Sequence, residues 1–444
     1  MSDRHVLRAS LEEEEHGLAR PAAAAETGLA LPAFDREFHG VVCPGCSCLC
    51  DDISLYLMQG GVVSTLNLCE TGLRRLGSAF TDSRLPAGTL SQQAPQAAAL
   101  LRAHPPVLVL GADVLDDSAV RASLEIASAL GGLWLPWAWQ AVRRFHERVN
   151  TYGWASALLD EVRDRADTVL FWRTDPLETH HRHLSRYSFF ACGRTTERGH
   201  HDRNLAAVAQ ETPHIEPLCR QFFRIPPDQD PALIQALLRP GVGEPFPHRD
   251  ADALARALKR SSFTAIFLDP ARLTDPALDL LFQWSAEVNA GGRTRMVLLP
   301  LWDGGANTEG FCKVSLERNA AAWGADFSGR AEGGPPPSWE VVAEAAGSVL
   351  LVECGPERTN SRKLPPALAA RPCVTLDPFK TPGNAAAGVT IPTALPGVEC
   401  GGLFFRADGL PLRASAPGPL RAGPYPSPTQ VLEAILQGLT GSRP

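Results

Sequence analysis

The sequence predicts an α/β protein, with a cysteine-rich lobe at the N-terminus followed by lobes built on parallel sheets. Two observations predict this class. Short, continuous apolar runs alternate with segments of helical periodicity, which is the pattern of strands buried on both faces of a parallel sheet. In addition, five cysteines gather between residues 43 and 69, ahead of the first such run. A length of 444 residues leaves room for several lobes.

Six apolar runs are the strand candidates of the alternating part. Between them lie segments with apolar side chains at helical spacing, of which residues 118–130 are the clearest, and a final helix is predicted over residues 429–439. The six strand candidates are residues 107–111, 168–172, 264–268, 296–299, 349–352 and 374–376.

Pro/Gly-rich stretches near residues 225–227, 240–241 and 333–337 indicate the joints between lobes. The first residues contain EEEE and AAAA runs and lack the basic start and apolar stretch of a signal peptide, so we interpret them as a disordered tail. The predicted divisions are a tail at 1–37, a four-cysteine lobe at 38–85, an α/β lobe at 86–240, a second α/β lobe at 241–345, and a C-terminal α/β segment with a terminal helix at 346–444.

Composition and motifs exclude several classes of protein. No apolar run approaches the length of a membrane span, and the net charge of −7 shows no nucleic-acid footprint. Without an export signal, the chain is expected in the cytoplasm with its cysteines reduced. We find no Walker A loop, G-x-S-x-G elbow, HExxH pair or dinucleotide fingerprint, so a self-contained ATPase, hydrolase or dehydrogenase is poorly supported.

The cysteines Cys43, Cys46, Cys50 and Cys69 follow the spacing C-x2-C-x3-C-x18-C, beginning in VVCPGCSCLCDDISL. Three thiolates on one loop and a fourth from a later turn make the set that a four-iron, four-sulfur (4Fe-4S) cluster needs. Zinc also accepts four thiolates, but zinc ribbons usually pair two C-x2-C knuckles, whereas here the second knuckle is a lone cysteine. The spacing therefore favours an iron–sulfur cluster, with zinc as the alternative. The other cysteines are expected to be buried thiols.

A second polar motif, FWRTDPLETHHRHLSRYS, follows the strand candidate at 168–172. Ligands bind at the carboxyl ends of strands in open α/β sheets, so this position suits a site. Asp175, His180, Arg182 and His183 could together grip a phosphate, a carboxylate or a metal, or could face a partner chain. The residues alone leave a polar pocket, a subunit interface and a structural turn open.

Four motifs in chain order resemble the B subunit of formylmethanofuran dehydrogenase, a member of the molybdopterin oxidoreductase superfamily. The resemblance covers roughly residues 38 to 415. It implies a cluster-binding lobe followed by doubly wound parallel-sheet lobes, which in redox members sandwich a tungsten or molybdenum pterin centre. The motifs are CPGCSCLCDDISL with the later Cys69, DPLETHHRHLSRY, ADFSGR, and IPTALPGVECGGLFFRADGLPL.

The chain departs from that family at the metal ligand. Redox members carry a cysteine or selenocysteine ligand shortly after the first α/β unit, but the corresponding stretch here, GGLWLPWAWQAVRRFHERVN, has none. No cysteine occurs between Cys69 and Cys192. Trp134, Trp137 and Trp139 are expected to fill the space instead, and the tungsten or molybdenum pterin is expected to be absent.

The resemblance then favours the branch formed by the formyltransferase/hydrolase complex. It implies a noncatalytic scaffold subunit in one-carbon metabolism linked to tetrahydromethanopterin and methofuran, which yields formate. The implied partners are an amidohydrolase-like A subunit, a formyltransferase subunit and a C subunit. Two alternatives are a redox B subunit with a tungsten or molybdenum pterin and a substitute ligand, and an iron–sulfur or zinc module of an unrelated complex.

Overall fold

The structure is a computed structural model, and its described residues are 34–59, 61–78, 85–239, 246–248, 250–302, 305–319, 321–329, 336, 338–353, 364–379, 388–414 and 425–441. Most of the predicted tail at 1–37, most of the joint at 333–337, and Cys354 lie outside these residues. Among the helices described, we find none with the length and apolar character needed to cross a bilayer.

The described strands and helices alternate after an all-β start. The strands are β1 (Arg36–Val41), β2 (Ile53–Met58), β3 (Gly61–Leu66), β4 (Val107–Leu110), β5 (Leu133–Leu135), β6 (Thr168–Trp172), β7 (Asn204–Ala209), β8 (Gln221–Arg224), β9 (Phe263–Leu268), β10 (Arg295–Pro300), β11 (Ala325–Asp326), β12 (Ser348–Val352), β13 (Cys373–Leu376), β14 (Val389–Ile391), β15 (Gly402–Phe405) and β16 (Pro411–Ala414). The helices are α1 (Glu70–Ser78), α2 (Leu90–Ala103), α3 (Asp117–Ala129), α4 (Trp139–Tyr152), α5 (Leu159–Arg165), α6 (Pro176–Thr179), α7 (Asp230–Leu238), α8 (Ala251–Arg260), α9 (Asp275–Ala290), α10 (Thr308–Asn319), α11 (Trp339–Ala345), α12 (Pro366–Ala369) and α13 (Pro428–Thr440).

The N-terminal lobe is a three-stranded antiparallel sheet in the order β1-β2-β3. Its central strand β2 alternates, so that Ile53, Leu55 and Leu57 are buried while the intervening side chains are half-buried. This period of two places one face on a core that the lobe shares with the five-stranded sheet formed by β6–β10. The cysteine loop joins β1 to β2, and Cys69 lies just before α1.

A six-stranded sheet has the order β11-β5-β4-β12-β13-β14, and all of its pairs are parallel except β11 with β5. Every residue of β4 and β12 is buried, which explains why these strands are continuous apolar runs. Helices α2, α3 and α13 bury their apolar faces against this sheet.

A five-stranded, all-parallel sheet has the order β10-β9-β6-β7-β8. Strand β6, at the centre of this sheet, is buried along its whole length. The chain leaves β6 first toward β7 and β8 and later returns on the other side as β9 and β10. The strand order therefore reverses between β6 and β9, as in a doubly wound sheet.

The α/β prediction is confirmed, and the six predicted strands correspond to β4, β6, β9, β10, β12 and β13 within one residue at either end. The lobe boundaries differ from the prediction. Strands within residues 107–135 and 325–391 build the six-stranded sheet, strands within residues 168–300 build the five-stranded one, and β15 pairs with β16 in a separate two-stranded sheet. The predicted boundary at 240 falls between β8 and β9 of one sheet, because parallel strands pair across long connections that linear composition does not reveal.

Candidate cysteine cluster site

The cysteine loop between residues 43 and 50 is a tight, internally bonded turn. The backbone N–H of Cys43 donates to the carbonyl of Cys50 at 2.8 Å, and that of Leu49 donates to Cys46 at 3.1 Å. Cys43 and Cys50 are buried, whereas Cys46 and Cys69 are half-buried. Of the three predicted ligands on this loop, Cys43 and Cys50 therefore point inward and Cys46 lies near the surface.

Two glycines bring the fourth cysteine to this loop. A Cβ on Gly72 would stand 2.8 Å from the Cys43 sulfur, and a Cβ on Gly45 would stand 3.2 Å from the Cα of Gly72. The turn that carries Cys69 is fixed locally, since the Gly72 N–H lies 3.5 Å from the Cys69 sulfur. The two backbone segments touch only because both positions lack a side chain.

The four thiols share one electrostatic environment. Burial raises the pKa of Cys43 well above its ordinary value and that of Cys50 to about 12, and the neighbouring Cys46 adds to both shifts. Burial likewise raises the pKa of Cys69, again with Cys46 as a neighbour. Four thiolates here would repel one another, and a cationic metal group would relieve that repulsion.

Both a four-iron cluster and a single zinc ion accept four thiolates, and the cysteine spacing favours the cluster. Among the described residues, no three His, Cys, Asp or Glu side chains converge in a way that would hold one ion. Cys43, Cys46, Cys50 and Cys69 are the residues that would hold such a group.

We expect Gly72→Ala to reduce the metal that the chain retains at least severalfold. Alanine normally favours a helix over glycine by about 1 kcal/mol, so any loss must come from the close contacts of the new Cβ with the Leu68 side chain, at 2.6 Å, and with the Cys43 sulfur, at 2.8 Å. Metal per chain after anaerobic purification is the measurement. Gly291→Ala is the matched control, because a Cβ there meets nothing closer than 3.4 Å. Equal metal in both variants would show that a side chain at position 72 does not disturb the cysteine site.

Two arginines hold the residues that follow Cys50. The Arg182 guanidinium donates to both carboxylate oxygens of Asp52, at 2.6 and 2.8 Å. Arg186 contacts the carboxylates of Asp51 and Asp52 from the same side. Although burial alone would raise the pKa of Asp52, the hydrogen bonds and charges of these arginines lower it below its ordinary value.

His180 fixes the middle of the cysteine loop. Its Nε2 lies 2.9 Å from the hydroxyl of Ser47, and its Nδ1 lies 2.8 Å from the hydroxyl of Thr179. Both His180 and Ser47 are 2% exposed. Ser47 stands between Cys46 and Cys48, so this buried contact sets the course of the loop between two thiols.

The turn after β15 holds the loop from the opposite side. The Ala407 N–H donates to the Ser47 carbonyl at 2.9 Å. Arg406, 2% exposed, pairs with Asp408 at 2.6 Å and with Asp160 at 2.7 Å, and its guanidinium lies 5.1 Å from the Tyr187 ring. Arg406, Ala407 and Asp408 stand in the FFRADG stretch of the closing motif, to which the sequence alone assigned no role.

The four residues predicted as one polar pocket or interface have different surroundings, although Asp175 and His180 line one small cavity together. His180 and Arg182 contact the cysteine loop. His183 is fully buried between Phe171 and Phe267, and burial lowers its pKa well below the ordinary value, so it is a neutral core residue. Side chains at adjacent positions of one motif thus point into different surroundings.

Asp175, the fourth residue, caps α6 by accepting from the Leu177 N–H at 2.9 Å. Its other oxygen accepts the His214 N–H at 2.5 Å. It also lines a cavity of about 400 Å³ at the carboxyl ends of β6, β7 and β9, the edge where the strand order predicts ligand sites. The cavity is also lined by Arg173, Glu178, Gln210, Glu211 and Arg272.

The tryptophans fill the corresponding edge of the six-stranded sheet. Trp134 and Trp139 are fully buried, and Trp134 stacks on Phe311 with ring centroids 3.7 Å apart. The Trp137 indole nitrogen lies 2.7 Å from where a Cβ on Gly111 would stand, directly after β4. Trp134 and Trp139 are therefore core side chains, and Trp137 is half-buried.

Glu309 is a buried carboxyl group beside this edge. It accepts the Trp302 indole N–H at 3.0 Å, and burial raises its pKa from 4.5 to about 7.

The remaining cysteines differ more in burial than expected: Cys48, Cys312 and Cys373 are buried, but Cys219 and Cys400 are half-buried, and Cys192 is exposed.

Glu309→Gln is expected to remove a pH dependence of stability. Between pH 4.5 and about 7 the unfolded chain releases this proton while the folded chain keeps it, so wild-type stability falls as pH rises. The variant should be more stable than wild type at pH 8, by on the order of 3 kcal/mol, and equal to it near pH 4. Urea unfolding at both pH values measures the difference, with the exposed Glu433→Gln as control. An equal gain at both pH values would rule out titration as the cause.

Comparisons with known proteins show what this chain is similar to. The chain is 26% identical over 407 residues to the B subunit of the tungsten-containing formylmethanofuran dehydrogenase 2 of Methanococcus maripaludis, covering 84% of this chain and 92% of the relative. The same protein of Methanocaldococcus jannaschii is also 26% identical over 407 residues, covering 85% and 93%. The chain is homologous to the B subunit of formylmethanofuran dehydrogenase. No family model matches it.

The fold of this B-subunit homologue also matches a solved structure. A chain of the formyltransferase/hydrolase complex (FhcABCD) from Methylorubrum extorquens, solved in complex with methylofuran, superposes with a TM-score of 0.63. The match covers 81% of this chain and 98% of the other at 19% identity, so it supports the fold alone. The predicted resemblance to the formylmethanofuran dehydrogenase B subunit and the predicted α/β class are confirmed.

Proposed function

We propose that this chain is the B-type subunit of a formyltransferase/hydrolase complex in methofuran-linked one-carbon metabolism. In that complex it holds the catalytic subunits and does no chemistry alone. Homology to the B subunit of the dehydrogenase over 84% of the chain supports membership of a methofuran-linked complex. The observation that carries the noncatalytic role is Trp137, which covers the end of β4 at Gly111.

The residues at that edge do not fit a tungsten or molybdenum pterin centre. Such a metal depends on a soft thiolate or selenolate for its electronic tuning, and no cysteine occurs between Cys69 and Cys192. The buried indole of Trp134 and the Gly111 contact of Trp137 occupy the volume instead.

The subunit's contribution is then architectural. Its partners would be an amidohydrolase-like A subunit, a formyltransferase subunit and a C subunit. The formyl group would pass from tetrahydromethanopterin to a methofuran-type carrier and be hydrolysed to formate. Holding both catalytic subunits at a fixed distance raises the effective concentration of a tethered carrier. Cys43, Cys46, Cys50 and Cys69 would hold a 4Fe-4S cluster that stabilises the N-terminal lobe.

Elemental and cofactor analysis tests the proposal first. The chain is purified anaerobically with its natural partners, and iron, zinc, tungsten, molybdenum and pterin are counted per polypeptide. We expect at most about four iron atoms per chain without tungsten, molybdenum or pterin. Recovery without formyltransferase or amidohydrolase subunits would overturn the assignment to this complex.

A second measurement tests the scaffold role. The partner subunits are assayed with and without this chain for conversion of the formylated pterin carrier to formate. We expect the coupled rate to fall at least tenfold without the chain, while each separate partial reaction keeps its rate. Loss of a partial reaction would show that this chain takes part in the chemistry.

A redox subunit is the second candidate, favoured by the tungsten-containing dehydrogenases among the relatives. It requires a ligand other than cysteine, such as an aspartate, a histidine or a solvent oxide. Stoichiometric tungsten or molybdenum with pterin, together with formate-linked dye reduction, would establish it in place of the scaffold role.

A further inference from the structure

The cysteine loop is held by residues from distant parts of the chain. The Ser47 hydroxyl contacts His180, which is 133 positions away. The Ser47 carbonyl accepts the N–H of Ala407, and Asp52 accepts two hydrogen bonds from Arg182, which is 130 positions away. The loop's own short turn bonds would order only its interior.

The Arg182–Asp52 pair fixes both the position and the orientation of the Asp52 carboxylate. A bidentate guanidinium–carboxylate pair fixes two planar groups, which a single hydrogen bond does not. The Arg182 side chain is 19% exposed, and Arg186 at 18% stands on the same carboxylate. Such a partly buried cluster is worth more than an isolated pair on the surface, where the two charges are fully hydrated.

Both arginines come from one rigid segment of the five-stranded lobe. Arg186 lies in the π-helical turn Leu184–Ser188, and its guanidinium is 5.1 Å from the Tyr187 ring. The Tyr187 hydroxyl in turn donates to the Cys48 carbonyl at 3.4 Å. A π-turn inserts an extra residue into a helix and often marks a functional position. Here the turn directs Arg186 and Tyr187 toward one loop.

We propose that Arg182 is a positioning residue that acts through Asp52 on Cys50, so that the cysteine loop takes its binding shape only when the five-stranded lobe has folded and docked. This inference rests on the cluster binding proposed above. The N-terminal lobe is then no independent metal-binding module. By linkage, metal held by the four thiols stabilises the docking of the two lobes by the same factor as docking favours the metal.

Hydrogen–deuterium exchange of the full chain tests the positioning without requiring metal. Residues 41–55 are followed in protein made metal-free with a chelator under anaerobic conditions. We expect Arg182→Gln to speed their exchange at least tenfold and Arg182→Lys, which keeps the charge but loses the fork, to fall between it and wild type. Arg198→Gln is the matched control, since it breaks an Arg–Asp pair whose arginine is 74% exposed.

Helix α13 is the internal reference for global stability. Wild-type exchange of residues 41–55 in Arg182→Gln, or an equal acceleration of α13, would overturn the proposal. In iron-loaded protein, Arg182→Gln should also release iron to a chelator at least tenfold faster than wild type. If wild-type protein holds no iron, the proposed cluster fails, but the exchange of the metal-free chain still decides the role of Arg182.

Discussion

Replacing Arg406 by methionine is expected to lower the free energy of unfolding by about 3–5 kcal/mol, the usual cost of leaving a buried partner charge alone. The side chain of Asp408 is 0% exposed and would lose its cation, although the Leu159 N–H would still donate to it at 2.6 Å. The cysteine loop would loosen as well, because Ala407 bonds the Ser47 carbonyl. Urea unfolding followed by tryptophan fluorescence gives the free energy.

Two further variants separate the buried charge from lost packing. Arg165→Met removes a 54% exposed arginine from a pair with Glu161 and should cost well under 1 kcal/mol. Combining Arg406→Met with Asp408→Asn should recover part of the loss, since both charges are then gone. A double variant no more stable than Arg406→Met alone would show that packing, and not the stranded carboxylate, causes the loss.

Cys43→Ser is expected to abolish stable metal binding, with at least a tenfold loss of iron per chain. Cys43 is buried at the contact of both cysteine segments, next to Gly45 and Gly72. Serine keeps the volume but is a poor ligand for iron. Iron and acid-labile sulfide after anaerobic purification are the measurements.

The exposed Cys192→Ser is the control for this change, because it removes a thiol away from the loop. It should keep wild-type iron. Retained iron in Cys43→Ser would remove Cys43 from the ligand set. If zinc replaces iron in the wild type and is lost from the variant, the four cysteines form a structural zinc site, the alternative that the sequence left open.

Strands buried on both faces were predictable, whereas their order in the sheets was not. The run from Thr168 to Trp172 must be apolar throughout, so its identity as a strand is visible locally. Strand β5, of three residues, is too short to stand out from its surroundings. The return of the chain from β5 to β12 of the same sheet depends on pairing across an inserted lobe, and no local pattern carries that information.

The candidate site shows the same division. The spacing of the cysteines is local, and it predicted a site whose ligand is still a proposal. The support of the loop is long-range: Arg406 meets Asp160 across 246 positions. Within THHRH the residue types are alike, so only the structure distinguishes the loop contact of His180 from the core position of His183. Side-chain direction in an irregular turn follows from packing, which composition does not encode.

The insertion of the five-stranded lobe into the six-stranded one also bears on synthesis. Strand β4 leaves the ribosome long before its partner strand β12, which begins at Ser348. The cysteine loop emerges earlier still, yet one of its anchors is Ala407. Because chains fold as they emerge, the thiols stay uncovered until nearly the whole polypeptide has been translated. Metal incorporation is therefore expected to be a late, largely post-translational step.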